Sequence, residues 1–417
     1  MKERSAFDSL ESKSIALKQI ESDDYHERTI GYEAYKQFYK DSKKEALFFI
    51  DKLEKEQKLY PRLKIQQLLS LGGIDTFNEL INKLIDVNSV ELPISKKRSS
   101  PLPRNLKARI IGNMGSLYFE EGINKINELG IKRLTELLPG LGFLLFYNKV
   151  LDTPDNFIYF KELLNKNIDD PIITQRLITL LSGFKQIDNI LYLDDLKRKL
   201  SSEAILKEIE RTITLVYFES ILKSNVTLIC ASKYFDTSEL RKLSKKGITN
   251  FGENKTFDFL EKKRELKQGS IKWHFIGHLQ RNKVKDIINE MDCLHSLDSL
   301  ELAEMINKYR NTELECFVEL NLIEEETKSG ITVQNIDTFL LEIKKYDKIK
   351  VVGFMCLGKQ GDLLQTEAVF RVMNELKKKH DLPYLSMGMS DDFILAIKHG
   401  STHVRLGKIL RRTNGIV

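Results

Sequence analysis

From Ser9 to about Lys223 the apolar residues recur at intervals of three and four, and alternating β-branched runs are nearly absent, so this half of the chain is predicted to be all helical. Leu63, Ile65, Leu68, Leu69 and Leu71 are followed, beyond Gly72-Gly73, by Phe77, Leu80, Ile81 and Leu84, the pattern of two helices joined by a tight turn. A second pair runs from Leu106 through Ile110, Ile111 and Met114, breaks at Gly115-Ser116 and resumes with Phe119, Ile123, Ile126 and Leu129. A third starts at Pro171, passes Ile173, Leu177, Leu180 and Leu181, breaks at Ser182-Gly183 and continues towards Leu196. With Arg62, Lys107 and Arg176 in their first helices, the three pairs resemble degenerate HEAT-like repeats of a solenoid; an irregular helical domain is the alternative. The basic, proline-containing segment from Lys96 to Arg104 reads as an exposed loop.

Near residue 225 the pattern changes to short β-branched runs separated by amphipathic stretches. Eight strands are predicted, at Val226–Ala231, Ile248–Phe251, Lys272–Ile276, Cys293–Ser296, Glu315–Leu320, Val351–Met355, Tyr384–Met387 and Thr402–Leu406. Strand and helix alternating eight times is the pattern of a parallel (β/α)8 TIM barrel, with a doubly wound open sheet as the alternative. The expected organisation is an all-α domain over 1–223 and a barrel domain over 224–417, with the helix from Ser202 to Leu222 assignable to either.

Composition adds exclusions. A chain of 417 residues exceeds the usual single-domain size, consistent with two cores. The net charge of +6, from 66 basic and 60 acidic side chains, falls short of the basic stripe that nucleic-acid binding needs. No apolar run is long enough for a membrane span, and Met1-Lys2-Glu3-Arg4 does not read as a secretory signal, so a cytoplasmic protein is expected. Cys230, Cys293, Cys316 and Cys356 show no paired spacing and read as buried free thiols.

A barrel carries its chemistry at the strand C-termini. Lys233 follows the first strand, where partial desolvation would make a nucleophilic amine; a surface lysine is the plain alternative. Phe251-Gly252-Glu253-Asn254 would bring a carboxylate and an amide to the barrel mouth. His274 lies inside the third strand without a metal-ligand constellation, and such a residue is ordinarily a satisfied core group. Ser386-Met387-Gly388-Met389-Ser390 precedes a helix start near Asp392 and suits a phosphate, although Ser390 could equally be that helix's N-cap. Val404-Arg405-Leu406-Gly407-Lys408 ends the last strand, and phosphate sites built after strands seven and eight recur in this barrel class.

Ala231-Ser232-Lys233, Phe251 to Asn254, Trp273 to Lys283, Lys328-Ser329-Gly330, Leu385 to Ser390, Gly400 to Thr402 and Val404 to Gly407 stand in the order seen in the pyridoxal phosphate homeostasis family, which this region resembles from about Val226 to Leu410. The resemblance implies an alanine-racemase-like barrel binding pyridoxal 5′-phosphate (PLP), with Lys233 matching the Schiff-base lysine and Arg405 the arginine facing the pyridine nitrogen. It places Ser386, Ser390 and Gly407 around the phosphate, with Met387 and Gly388 in the same turn, and Asn254 and His274 at the pocket mouth. It also implies a carrier or regulator of the cofactor, since arginine at the ring nitrogen weakens the ring as an electron sink. The chain departs from the family pattern at Lys255, at Lys408, which could pair with the phosphate or obstruct its cradle, and in the ending Ile409-Leu410-Arg411-Arg412. Two other readings stand beside it: a PLP-dependent racemase or lyase, and an interaction scaffold in which the helical half binds a protein partner and the barrel is a degenerate sensor.

Overall fold

The computed structural model describes residues 2–85, 105–266, 270–323 and 329–412, so the basic segment from Lys96 to Arg104 and the residue Lys328 lie outside the described residues. The chain divides into two compact units, one of Met1–Lys185 with Asp195–Val216, the other of Gln186–Asp194 with Tyr217–Val417.

The first unit is helical throughout. The expected pairs form as Leu59–Leu69 with Ile74–Ile85 and Leu106–Ile111 with Leu117–Leu129. The third, Pro171–Leu181 and Ile187–Lys199, has its second helix divided between the units. Phe49, Phe77, Phe119 and Phe160 are wholly buried and centre the core.

The turn of the first pair shows why its sequence is Gly72-Gly73. Gly73 stands at the N-terminus of the helix Ile74–Ile85 and has no side chain to cap it. The Asp41 carboxylate does this from another part of the chain, accepting from the Asp75 and Thr76 amides at 3.1 and 3.0 Å and from the Thr76 hydroxyl at 2.7 Å. A Cβ at Gly73 would lie 2.4 Å from Asp41 Oδ2, and one at Gly72 would collide with Thr76. These bonds hold the Asp41 carboxyl below its ordinary range, although desolvation opposes them.

In the second unit eight parallel strands close into a barrel in sequence order: β1 (Thr227–Ala231), β2 (Asn250–Glu253), β3 (Lys272–Phe275), β4 (Cys293–Leu297), β5 (Leu314–Glu319), β6 (Ile349–Met355), β7 (Tyr384–Ser386) and β8 (His403–Leu406). The pairing of β1 with β8, with Ile229 beside Arg405, excludes the open doubly wound sheet. Outward-facing Trp273 and Phe275 meet Phe259 of the helix Thr256–Glu265, and Phe251 packs against Trp273. The inward positions include Asn250, His274, His295, Ser386 and Arg405, a polar interior where a barrel is ordinarily filled by branched apolar side chains. All four cysteines are buried and free. No helix among the described residues is long and apolar enough to cross a membrane.

Replacing Asp41 by alanine removes the side-chain cap of the helix that Gly73 starts. We expect a loss of about 1 kcal/mol, measured as a lower midpoint of urea unfolding followed by helical circular dichroism.

Candidate cofactor site at the barrel mouth

β1 ends at Ala231 and passes into a single 3-10 turn, Ser232–Tyr234, which carries Lys233. Three groups anchor this turn. Ser232 Oγ donates to Gly252 O at 3.0 Å and to Glu253 Oε2 at 2.8 Å, and Lys262 Nζ reaches both Ser232 O, at 2.8 Å, and Glu253 Oε2, at 2.7 Å. Glu253 is therefore not at the mouth, as the tetrapeptide suggested. Alternation along β2 turns Gly252 inward and Glu253 outward, where its wholly buried carboxylate pairs with the half-buried Lys262. Neither Lys262 nor its role was legible in the sequence, because its partner's position depends on strand register.

Lys233 itself is exposed, with Nζ 5.2 Å from the centre of the Tyr234 ring, so the desolvation expected there does not exist in this structure. It lines a cavity of about 600 Å³ together with Ala231, Asn254, Ile276, Ser390 and Arg405. Gly407, Lys408 and Asp392 also line it, as do Leu357 and Lys359 of the loop after β6 and Thr366 of the helix Leu363–Lys379. A Cβ at Gly252 would come within 2.8 Å of Ile229, and one at Gly277 within 2.5 Å of Asn254 O, so these glycines let two strand exits approach the cavity. Asn254 donates its amide N–H to Glu253 Oε1 at 2.8 Å, while its side-chain Oδ1 is buried with no hydrogen-bond partner among the described residues. A buried acceptor without a donor marks a place for a ligand.

Arg405 is buried. Its Nη1 donates to Ser386 O at 2.8 Å and to Ser386 Oγ at 2.7 Å, and its Nη2 to Cys356 O at 2.9 Å. Burial lowers its affinity for a proton from the ordinary arginine value, opposed by Cys356, Asp392 and Glu319.

Six of the residues expected at the site, Lys233, Asn254, Ser390, Arg405, Gly407 and Lys408, share the cavity wall. Four do not. Ser386 points into the barrel beneath Arg405 and bonds that side chain and His295. Met387, on the other side of the strand, is wholly buried, and Gly388, at a φ of 96°, packs against Phe393 and Ala396. His274 is not at the mouth: it lies in the barrel interior between Asn250 and His295. Nor is it without ligand-type neighbours, since the fold brings Cys293 and His295 to it with donor atoms within 4.8 Å of one another, the two rings bonded at 2.9 Å. Ser390 is not a helix cap. Its Oγ accepts from the Gly407 and Ile409 amides at 3.4 and 3.3 Å, joining the turns after β7 and β8.

Three imidazoles, two buried and that of His403 half-buried, and one carboxyl carry unusual proton affinities. Burial pushes His274 down to about 3 and His403 to about 4, and lowers His295 strongly; neighbouring cationic or imidazole groups add to each. Glu319 ends β5 inside a small pocket with Asn321, Ser329 and Leu357, and burial, aided by Asp298 and opposed by Arg405, pushes it up to about 7.

Residues 234–413 match the family described as alanine racemase, N-terminal domain, and the closed eight-stranded parallel barrel is of that racemase-like class. The chain is 36% identical over 195 residues to the pyridoxal phosphate homeostasis protein of Aquifex aeolicus, covering 44% of this chain and 85% of that one. The protein of the same name from Schizosaccharomyces pombe is 32% identical, over 44% and 82%. The solved structure of PipY from Synechococcus elongatus with PLP bound is 28% identical and covers 47% of this chain and 97% of that one, at a TM-score of 0.44. The chain belongs to the pyridoxal phosphate homeostasis protein family, with a helical unit that those relatives' matched region does not include.

Replacing Lys262 by methionine leaves the Glu253 carboxylate buried and uncompensated. We expect a loss of about 3 kcal/mol, largely recovered when Glu253→Gln is added, as read by urea unfolding of the single and double variants.

The three imidazoles stay neutral when folded but take up protons near pH 6.5 when unfolded. Their contribution is complete above that pH and is lost as the pH falls towards 4, at on the order of 1 kcal/mol per pH unit for each ring. Glu319 acts in the opposite direction, because it keeps its proton when folded over a range where the unfolded carboxyl has ionised. Stability is lost as the pH rises from about 4.5 through about 7. Unfolding midpoints from pH 4 to 8 should show a shallower acid loss in His403→Gln and a gain above pH 6 in Glu319→Gln.

Proposed function

We propose that the barrel holds PLP as a Schiff base on Lys233 and serves to store and release the cofactor, without turnover chemistry. The observation that carries this reading is the cavity wall in which Lys233, the unpartnered Asn254 Oδ1 and the buried Arg405 meet, on a chain of the pyridoxal phosphate homeostasis family. When bound, PLP supplies an aldehyde carbon for the lysine and a ring that delocalises electrons. The rest is the work of the chain's own residues. Lys233, free of the anchored turn beneath it, reaches the cavity as an exposed amine; Asn254 offers an acceptor; Arg405 presents a charged donor to the ring nitrogen and so leaves that nitrogen unprotonated. Ser390, Gly407 and Lys408 border the space between the turns after β7 and β8, where the phosphate would sit, with the Lys408 ammonium in the place of a hydroxyl.

We further infer that the helical domain, 1–223, serves a cytoplasmic protein as a docking element for a protein partner, an inference supported by Leu59 and Tyr60, each more than 60% exposed at the start of one helix. The barrel domain, 224–417, would carry the cofactor.

The reading is tested by the absorbance of the purified chain with added PLP, before and after borohydride reduction, with peptide mapping. We expect a Schiff-base band whose reduced adduct maps to Lys233, and its disappearance in Lys233→Ala. A band that survives in that variant would place the cofactor on another residue.

A further inference from the structure

Five inward side chains form one hydrogen-bonded chain across the barrel interior. Arg405 Nη1 lies 2.7 Å from Ser386 Oγ, Ser386 Oγ 2.8 Å from His295 Nδ1, His295 Nε2 2.9 Å from His274 Nδ1, and His274 Nε2 3.0 Å from Asn250 Oδ1. The members come from β8, β7, β4, β3 and β2, so the chain exists only once the barrel has closed.

Its direction is fixed from the arginine end. A guanidinium can only donate, so Ser386 Oγ accepts from Arg405 and must place its own proton elsewhere. The remaining partner is His295 Nδ1, which is therefore the bare nitrogen of that ring. His295 Nε2 then carries the hydrogen and donates to His274 Nδ1, and His274 Nε2–H donates to Asn250 Oδ1. Every contact is satisfied with both rings neutral and in the same tautomer. The reverse direction would leave the buried Ser386 hydroxyl proton without an acceptor, a loss of about 1–3 kcal/mol. A protonated His295 would aim a second N–H at Ser386 and set a cation near the buried Arg405. Phe317 of β5 stacks on the His295 ring at 4.4 Å between centroids and 21° between planes, which limits its rotation.

We propose that His295 and His274 are positioning residues for Arg405: by accepting the Ser386 hydroxyl proton they turn the serine's lone pairs to the guanidinium and hold it in one orientation towards the cofactor cavity. With Ser386 O and Cys356 O also accepting, three of the five N–H groups of Arg405 are committed, and two are left on a side chain that lines the cavity. The proposal rests on the reading that PLP lies against Arg405, yet the chain itself is a property of the protein alone. Burial, which disfavours the charged form of both rings, agrees with it.

The first measurement is made without PLP. Long-range proton–nitrogen NMR of the full chain labelled with 15N-histidine, with His274→Gln and His295→Gln to assign the signals, should give the Nε2–H neutral tautomer for both rings, unchanged from pH 5 to 8. An Nδ1–H tautomer for either ring, or titration near pH 6.5, would overturn the proposal. The second is PLP affinity and the position of the bound absorption band. His295→Phe, which keeps the stack on Phe317 but removes the acceptor, should weaken PLP by about tenfold and shift the band. Ser386→Ala should do the same, the double variant no worse, and His295→Gln should restore part of the loss. Unaltered affinity and spectrum in His295→Phe would sink the proposal. Wild-type protein that binds no PLP while keeping both tautomers would instead refute the cofactor reading and leave the hydrogen-bond chain standing.

Discussion

A guanidinium inside a closed barrel has to be solvated by the protein, and much of this barrel's interior is arranged around that requirement. Arg405 has no carboxylate bonded to it among the described residues; two carbonyl oxygens and one hydroxyl accept its hydrogen bonds. Carbonyl and hydroxyl acceptors solvate the guanidinium without a bonded counter-charge, and the carboxyl groups acting on it are Asp392, in the cavity wall, and Glu319. The cost is a polar interior: Ser386, His295, His274 and Asn250 occupy positions where such a barrel normally carries branched apolar side chains, and each must find a partner in turn.

Lys233 is treated in the opposite way. Its turn is held firmly, through Ser232, Glu253 and Lys262, while the lysine side chain itself is exposed beside Tyr234. A fixed base and an exposed amine are what the Schiff base proposed for Lys233 would require.

The helical unit shows the same economy of local rules. Asp41 caps a helix that begins with glycine, and the glycine is there because Asp41 and Thr76 occupy the space a side chain would need. Its two helical pairs with turns at Gly72-Gly73 and Gly115-Ser116 follow the spacing of apolar residues, and the polar cap joins parts of the chain more than thirty residues apart.

Periodicity along the chain is a local property, and it sufficed for the helical half, for all eight strands and for the strand ends that carry Lys233, Asn254, Ser390, Arg405, Gly407 and Lys408. What the sequence could not supply was the side to which each strand residue points relative to its neighbours, because that depends on register between strands distant in sequence. So Glu253 was expected at the mouth and lies outside the barrel wall with Lys262, and Ser386 was expected at the phosphate and lies under Arg405. His295, ninety-one residues from Ser386, carried no signal at all until closure of the sheet set the two side by side. The sequence by itself determined the elements and the cavity-facing turns; only the tertiary structure decided which buried polar groups satisfy one another, since a hydrogen bond across a barrel has no counterpart in the spacing along its strands.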